Sequence, residues 1–108
     1  MEFQELIDAV NQIDLQLNEY YHGLQIDREK RILARTVKLN EEVGELCEQV
    51  LSYNSMQRKV KVEVHNKESL ADELADVIIT TFLLAKSMDV NMSEALDRKV
   101  SKIKKRKM

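Results

Sequence analysis

No proline and only two glycines, Gly23 and Gly44, interrupt the 108 residues of this chain. A chain so poor in breakers has few places to turn, which favours a few long helices over a turn-rich β fold. The apolar pattern agrees. Phe3, Leu6, Ile7, Val10, Ile13, Leu17 and Tyr20 recur at intervals of three and four, so a first helix is predicted over about 2–21, with Gly23 suited to its C-terminal end. A second is expected after Asp27, a good N-cap, and runs to about Tyr53 along a stripe of Ile32, Leu39, Val43, Leu46 and Val50. Gly44 inside it costs about 1 kcal/mol relative to alanine and can let another chain or a ligand approach.

A third helix is expected to start near Asn66 or Ser69, where Ser69 and Asp72 resemble a capping box, and to end near Ser87. Between Leu74 and Met88 it is apolar on almost every side, which places it in the middle of something. A fourth follows Asn91, with Glu94 completing a second capping-box pattern, and ends in the basic run KVSKIKKRKM. The stretch 54–66 alternates polar and apolar residues, but no second strand is in sight, so it reads as an ordered connection or arm. The resulting expectation is an all-α, four-helix, bundle-like protomer forming a single domain over 1–108 and pairing as an intertwined helical dimer. Phe82 and Leu83 are candidates for the contact between copies.

Composition excludes several classes. Hydrophobic residues are 44% and charged residues 33%, a globular balance rather than a disordered one. The net charge of −2 does not advertise a polyanion partner. The longest apolar run, around Val77–Ala85, is far short of a membrane span. One cysteine, Cys47, cannot form an internal disulfide, and MEFQELIDAV has no basic leader region; a cytoplasmic location is expected. Cys47 reads as a core thiol, Met56, Met88 and Met92 as packing residues, and His22 and His65 as surface or loop residues without ligand partners.

The informative feature is acid placed among apolar residues, in LNEEVGEL at 39–46 and DELADV at 72–77. Residues three or four apart share a helix face, so Lys38, Glu42, Glu45 and Gln49 form one strip and Glu73, Asp76, Val77 and Thr80 another. If the strips face each other, four carboxylates meet in a half-apolar cleft. They would raise one another's pKa values unless a cation joined them. Mg²⁺, with its oxygen ligands and its habit of binding substrate phosphates, is the natural choice. The Glu-x-x-His pattern of di-iron bundles is absent from both clusters. Acidic pairs on solvated helix faces are common, and periodicity alone leaves that reading open.

The order Glu41-Glu42-Val-Gly-Glu45, then Glu73-Leu-Ala-Asp76, then an apolar helix, then MDVNMSEAL and a basic helix resembles the MazG-like, all-α nucleotide pyrophosphohydrolase superfamily. The resemblance covers about 30–106. It implies Glu42, Glu45, Glu73 and Asp76 as Mg²⁺ ligands, with Mn²⁺ as a substitute, and Glu41, Glu42 and Glu45 as catalytic carboxylates, Glu41 in a supporting or water-activating role. It implies cleavage of a nucleoside triphosphate, a deoxynucleotide or a non-standard one, to the monophosphate and pyrophosphate, as a house-cleaning activity. Lys38, Lys99, Lys102 and Arg106 become candidates for phosphate contact, and the assembly becomes a homodimer or homotetramer. Val100 stands near the point where relatives often carry an asparagine, which puts base or sugar contacts in doubt. The short chain favours the MazG-like branch over dUTPases. The rival expectation is a non-enzymatic helical interaction module whose basic tail, 98–107, binds nucleic acid or a partner. Lysines near a helix C-terminus are more simply explained by the helix dipole, and nucleic acid is not the expected partner.

Overall fold

A computed structural model describes residues 1–53 and 67–106. Among them it holds four α-helices and no strand: α1 (Phe3–Gly23), α2 (Arg28–Tyr53), α3 (Lys67–Ser87) and α4 (Met92–Lys105). The alternating stretch 54–66, with His65 and Met56, lies outside the described residues. No described helix is long and apolar enough to cross a membrane.

The caps follow local chemistry. Asp27 Oδ1 accepts from the Lys30 amide at 2.9 Å, and Asn91 Oδ1 from the Glu94 amide at 3.1 Å. Ser69 is not a cap, because α3 already begins at Lys67. Gly23 is not the left-handed residue that ends α1. Gln25 is, at φ 59°, with its amide donating to His22 and the Ile26 amide to Tyr21, each at 2.9 Å. Asp89, at φ 57°, repeats the same closure at the end of α3, where the Val90 amide donates to Ala85 at 2.9 Å. Both closures turn the chain through backbone hydrogen bonds rather than glycine.

α2 and α3 form the main pair, antiparallel, and α1 lies across the C-terminal half of α3. The apolar core is small: Val10, Phe82 and Leu83, bordered by Leu6, Ile7, Ile13, Leu17, Ile79 and Met92. Phe3 meets Phe82 edge-on, with ring centroids 6.2 Å apart. Phe82 and Leu83, expected between copies, are therefore buried inside the chain by α1. The apolar residues of α3 that remain half exposed are Leu74 and Ile78.

The face of α2 that is buried differs from the stripe the spacing picks out. Val43 and Val50 are exposed, while Arg35, Glu42, Gln49 and Ser52 are buried. The first three stand two turns apart on one line, with Leu39 and Leu46 half buried between them. Cys47 is exposed rather than core, Met88 is half exposed, and His22 is exposed as expected. A side chain added at Gly44 would meet nothing within 4 Å, so no close approach among the described residues explains that glycine. α4 buries no residue and presents Leu96, Val100 and Ile103 to solvent.

Candidate metal centre

Three acids from two helices converge. Glu42 of α2 and Glu73 and Asp76 of α3 each offer an oxygen within 4.8 Å of the others. Helical spacing aligns Glu73 with Asp76, and the packing of α2 on α3 brings Glu42 opposite them. Glu42 is buried, Glu73 half buried and Asp76 exposed, so the cluster opens outward through Asp76.

The charges are poorly satisfied by the chain itself. Oε2 of Glu42 and Oε2 of Glu73 are buried, and no described donor reaches either. The Glu73 carboxyl is pushed above its ordinary 4.5, first by its loss of water and then by the charges of Glu45, Glu42 and Asp76. Lys38 supplies one compensating charge. Its Nζ lies 3.2 Å from Glu42 Oε1 and 3.8 Å from Glu41 Oε2. The hydrogen bond to Glu42 is the main reason its ammonium is held above the ordinary 10.5. An all-oxygen donor set with two orphaned buried oxygens fits a hard divalent cation.

The remaining sequence candidates fall in three places. Glu45 is exposed and stands outside the three-acid cluster, yet near enough to Glu73 to raise its carboxyl. Glu41 is exposed and points toward Lys38. Lys99, Lys102 and Arg106 are exposed on or just beyond α4, and no ion pair among the described residues ties them to the carboxylates.

Beside the carboxylates lies a largely apolar cavity of about 340 Å³, between α1, α2 and α3. Leu17, Tyr21, Val37 and Leu83 give its apolar wall, and Lys38, Glu41 and Thr80 its border with the acids. Arg35 also lines it and belongs to a buried network that the apolar spacing does not announce. Its Nη1 donates to Asp14 Oδ1 at 2.7 Å and to the Leu83 carbonyl at 2.8 Å. Asn18 donates to Asp14 Oδ2 at 3.2 Å, and the guanidinium lies 6.0 Å from the centre of the Tyr21 ring. The available signal was opposite charge on two apolar stripes: Asp14 follows Val10 by one turn, and Arg35 precedes Leu39 by one turn.

Fold and site together define an all-α protein with a carboxylate cluster suited to a hard cation beside an apolar cavity. The MazG-like family matches residues 33–108, and the chain belongs to that family. The uncharacterized protein YpjD of Bacillus subtilis (strain 168) is 34% identical over 74 residues, which is 68% of this chain and 65% of that relative. No solved structure gives a significant match.

Proposed function

We propose that the protein is a Mg²⁺-dependent nucleoside triphosphate pyrophosphohydrolase acting on deoxynucleotides or non-standard nucleotides. The observation that carries this reading is the convergence of Glu42, Glu73 and Asp76 with two buried, unpartnered oxygens. Membership of the MazG-like family supports it. Glu42, Glu73 and Asp76 would hold the ion, with Glu45 as a further candidate ligand. The bound ion, Mg²⁺ or Mn²⁺, neutralises phosphate oxygens and lowers the pKa of bound water. Lys38, 3.2 Å from Glu42 Oε1, would turn its ammonium to a phosphate of the substrate. Glu41 orients the attacking water or accepts its proton. The cavity walled by Leu17, Tyr21, Val37 and Leu83 gives the nucleoside a water-poor seat within reach of Lys38.

The reading includes a homodimer, or a tetramer built from dimers. Leu74 and Ile78 of α3 and Val43 and Val50 of α2 leave an apolar face open beside the acids. α4 carries an exposed apolar line, Leu96, Val100 and Ile103, flanked by Lys99 and Lys102. An apolar face edged with acid and an apolar helix edged with base complement each other, and a two-fold arrangement satisfies both twice. Lys99, Lys102 and Arg106 of one copy then reach the phosphates held by its neighbour.

Phosphorus NMR of a nucleotide panel incubated with protein and Mg²⁺ tests the reaction. Equal amounts of monophosphate and pyrophosphate are expected. Nucleoside diphosphate and orthophosphate as primary products reject the class. Nucleic-acid binding that survives loss of all three carboxylates, with no hydrolysis, favours an interaction module instead.

A further inference from the structure

We propose that Arg35 is a positioning residue, which sets the register of α2 against α3 and thereby assembles the metal-binding carboxylates. The inference rests on the metal site proposed above and asks how this chain builds it. Glu42 stands on one helix and Glu73 and Asp76 on another, so their convergence requires a fixed register between the two. Between the acids and Arg35 along the two helices stand the half-buried Leu39, Val77 and Ile79, with Thr80 buried beside them. Aliphatic burial is non-directional and constrains sliding weakly.

Arg35 supplies the missing direction. Its Nη1 holds the Leu83 carbonyl of α3 at 2.8 Å. Arg35 precedes Glu42 by two turns on α2, and Leu83 follows Asp76 by two turns on the antiparallel α3. The guanidinium bond and the carboxylate cluster are therefore matching stations on one seam, the same distance along both helices. Slipping one helix by a single residue, about 1.5 Å, would break the bond and pull the carboxylate oxygens apart together. Asp14, at 2.7 Å, fixes the guanidinium in place and is itself held by Asn18 at 3.2 Å, so α1 braces the joint. Arg35 and Asp14 are 3% and 6% exposed, which keeps water from competing for these bonds. A buried ion pair is a poor source of net stability but is known to fix register in helical assemblies.

The experiment measures Mn²⁺ binding to the nucleotide-free protein by electron paramagnetic resonance, with thermal unfolding of the same samples without metal. Three variants are compared: Arg35→Met, Asp14→Leu with Arg35→Met, and Arg35→Lys. The double variant removes the ion pair as a unit and leaves no lone buried charge. It is expected to stay folded, with a midpoint close to that of the unaltered chain, yet to bind Mn²⁺ at least about tenfold more weakly, the loss typical of groups that orient ligands. Arg35→Lys keeps the charge near Asp14 on a shorter side chain without the planar guanidinium that holds both Asp14 and Leu83, and an intermediate loss is expected. A folded variant of either kind with unaltered Mn²⁺ affinity overturns the inference. Failure of all three variants to fold also overturns it, because the network would then hold up the fold and not the register. An unaltered chain that binds no Mn²⁺ overturns the metal reading and this inference with it; variants that bind as well as the unaltered chain overturn this inference alone.

Discussion

Glu73 shows what a single residue gives up to make such a site. Its carboxyl is raised above 4.5 because it has lost water and faces Glu45, Glu42 and Asp76. A carboxyl raised by folding favours the fold while protonated, and that advantage is lost as pH rises through the raised value. The metal-free protein should therefore lose stability from this group as pH climbs above the ordinary carboxylate range. Glu73→Gln is expected to raise the metal-free thermal midpoint at pH 7, with a gain that shrinks toward pH 4. An equal shift at both pH values would show that packing, not charge, is responsible. Glu42→Gln and Asp76→Asn should leave the circular dichroism spectrum unchanged and lower turnover at least about 100-fold, beyond what loss of a merely orienting group costs. Near-normal turnover in either purified variant would remove that residue from the site.

The four helices contribute unequally to the fold. α1 supplies Val10 to the small core, and Phe82 and Leu83 of α3 complete it. Phe82→Ala is expected to cost about 3–5 kcal/mol in urea unfolding, because Phe82 also loses its edge-on contact with Phe3. α4 behaves differently. Its N-terminus is fixed by Asn91, whose loss to alanine should cost about 1 kcal/mol of helix stability, but among the described residues its apolar line Leu96, Val100 and Ile103 stays exposed. Val100→Ala should therefore leave the unfolding of a monomer almost unchanged and weaken only a larger assembly. Urea curves at low and high protein concentration separate the two cases. The Arg28–Asp89 pair, at 3.3 Å, links the first residue of α2 to the turn after α3. Both side chains are more than half exposed, so it contributes little.

At the scale of the molecule, the isolated chain is loosely gathered. Its radius of gyration is 16.8 Å, against about 13 Å for a compact domain of this length. Leu74, Ile78, Val43 and Val50 stay 38–50% exposed, and α4 buries none of its residues. Sedimentation equilibrium at micromolar concentration should find a dimer or tetramer, and Ile78→Glu should dissociate it. A stable, active species of 12.6 kDa would show that one chain suffices.

Four helices, two of their caps and the two acidic pairs could be read from the chain, because helix spacing and capping are local and repeat within a turn or two. Asp27 and Asn91 cap as their residue types require, and Glu73 and Asp76 share a face whatever packs against them. Which face of α2 turns inward was not local. The aliphatic stripe pointed to Val43 and Val50, but the buried line runs through Arg35, Glu42 and Gln49, and Arg35 on that line meets Asp14 of α1 and Leu83 of α3, partners that spacing along α2 cannot reveal. Phe82 and Leu83 likewise changed sides once α1 covered them. The sequence by itself determined helices and the residue types of a cation site. Tertiary packing alone decided which acids converge and that a buried arginine joins the helices bearing them, because convergence depends on the register between segments far apart in the chain.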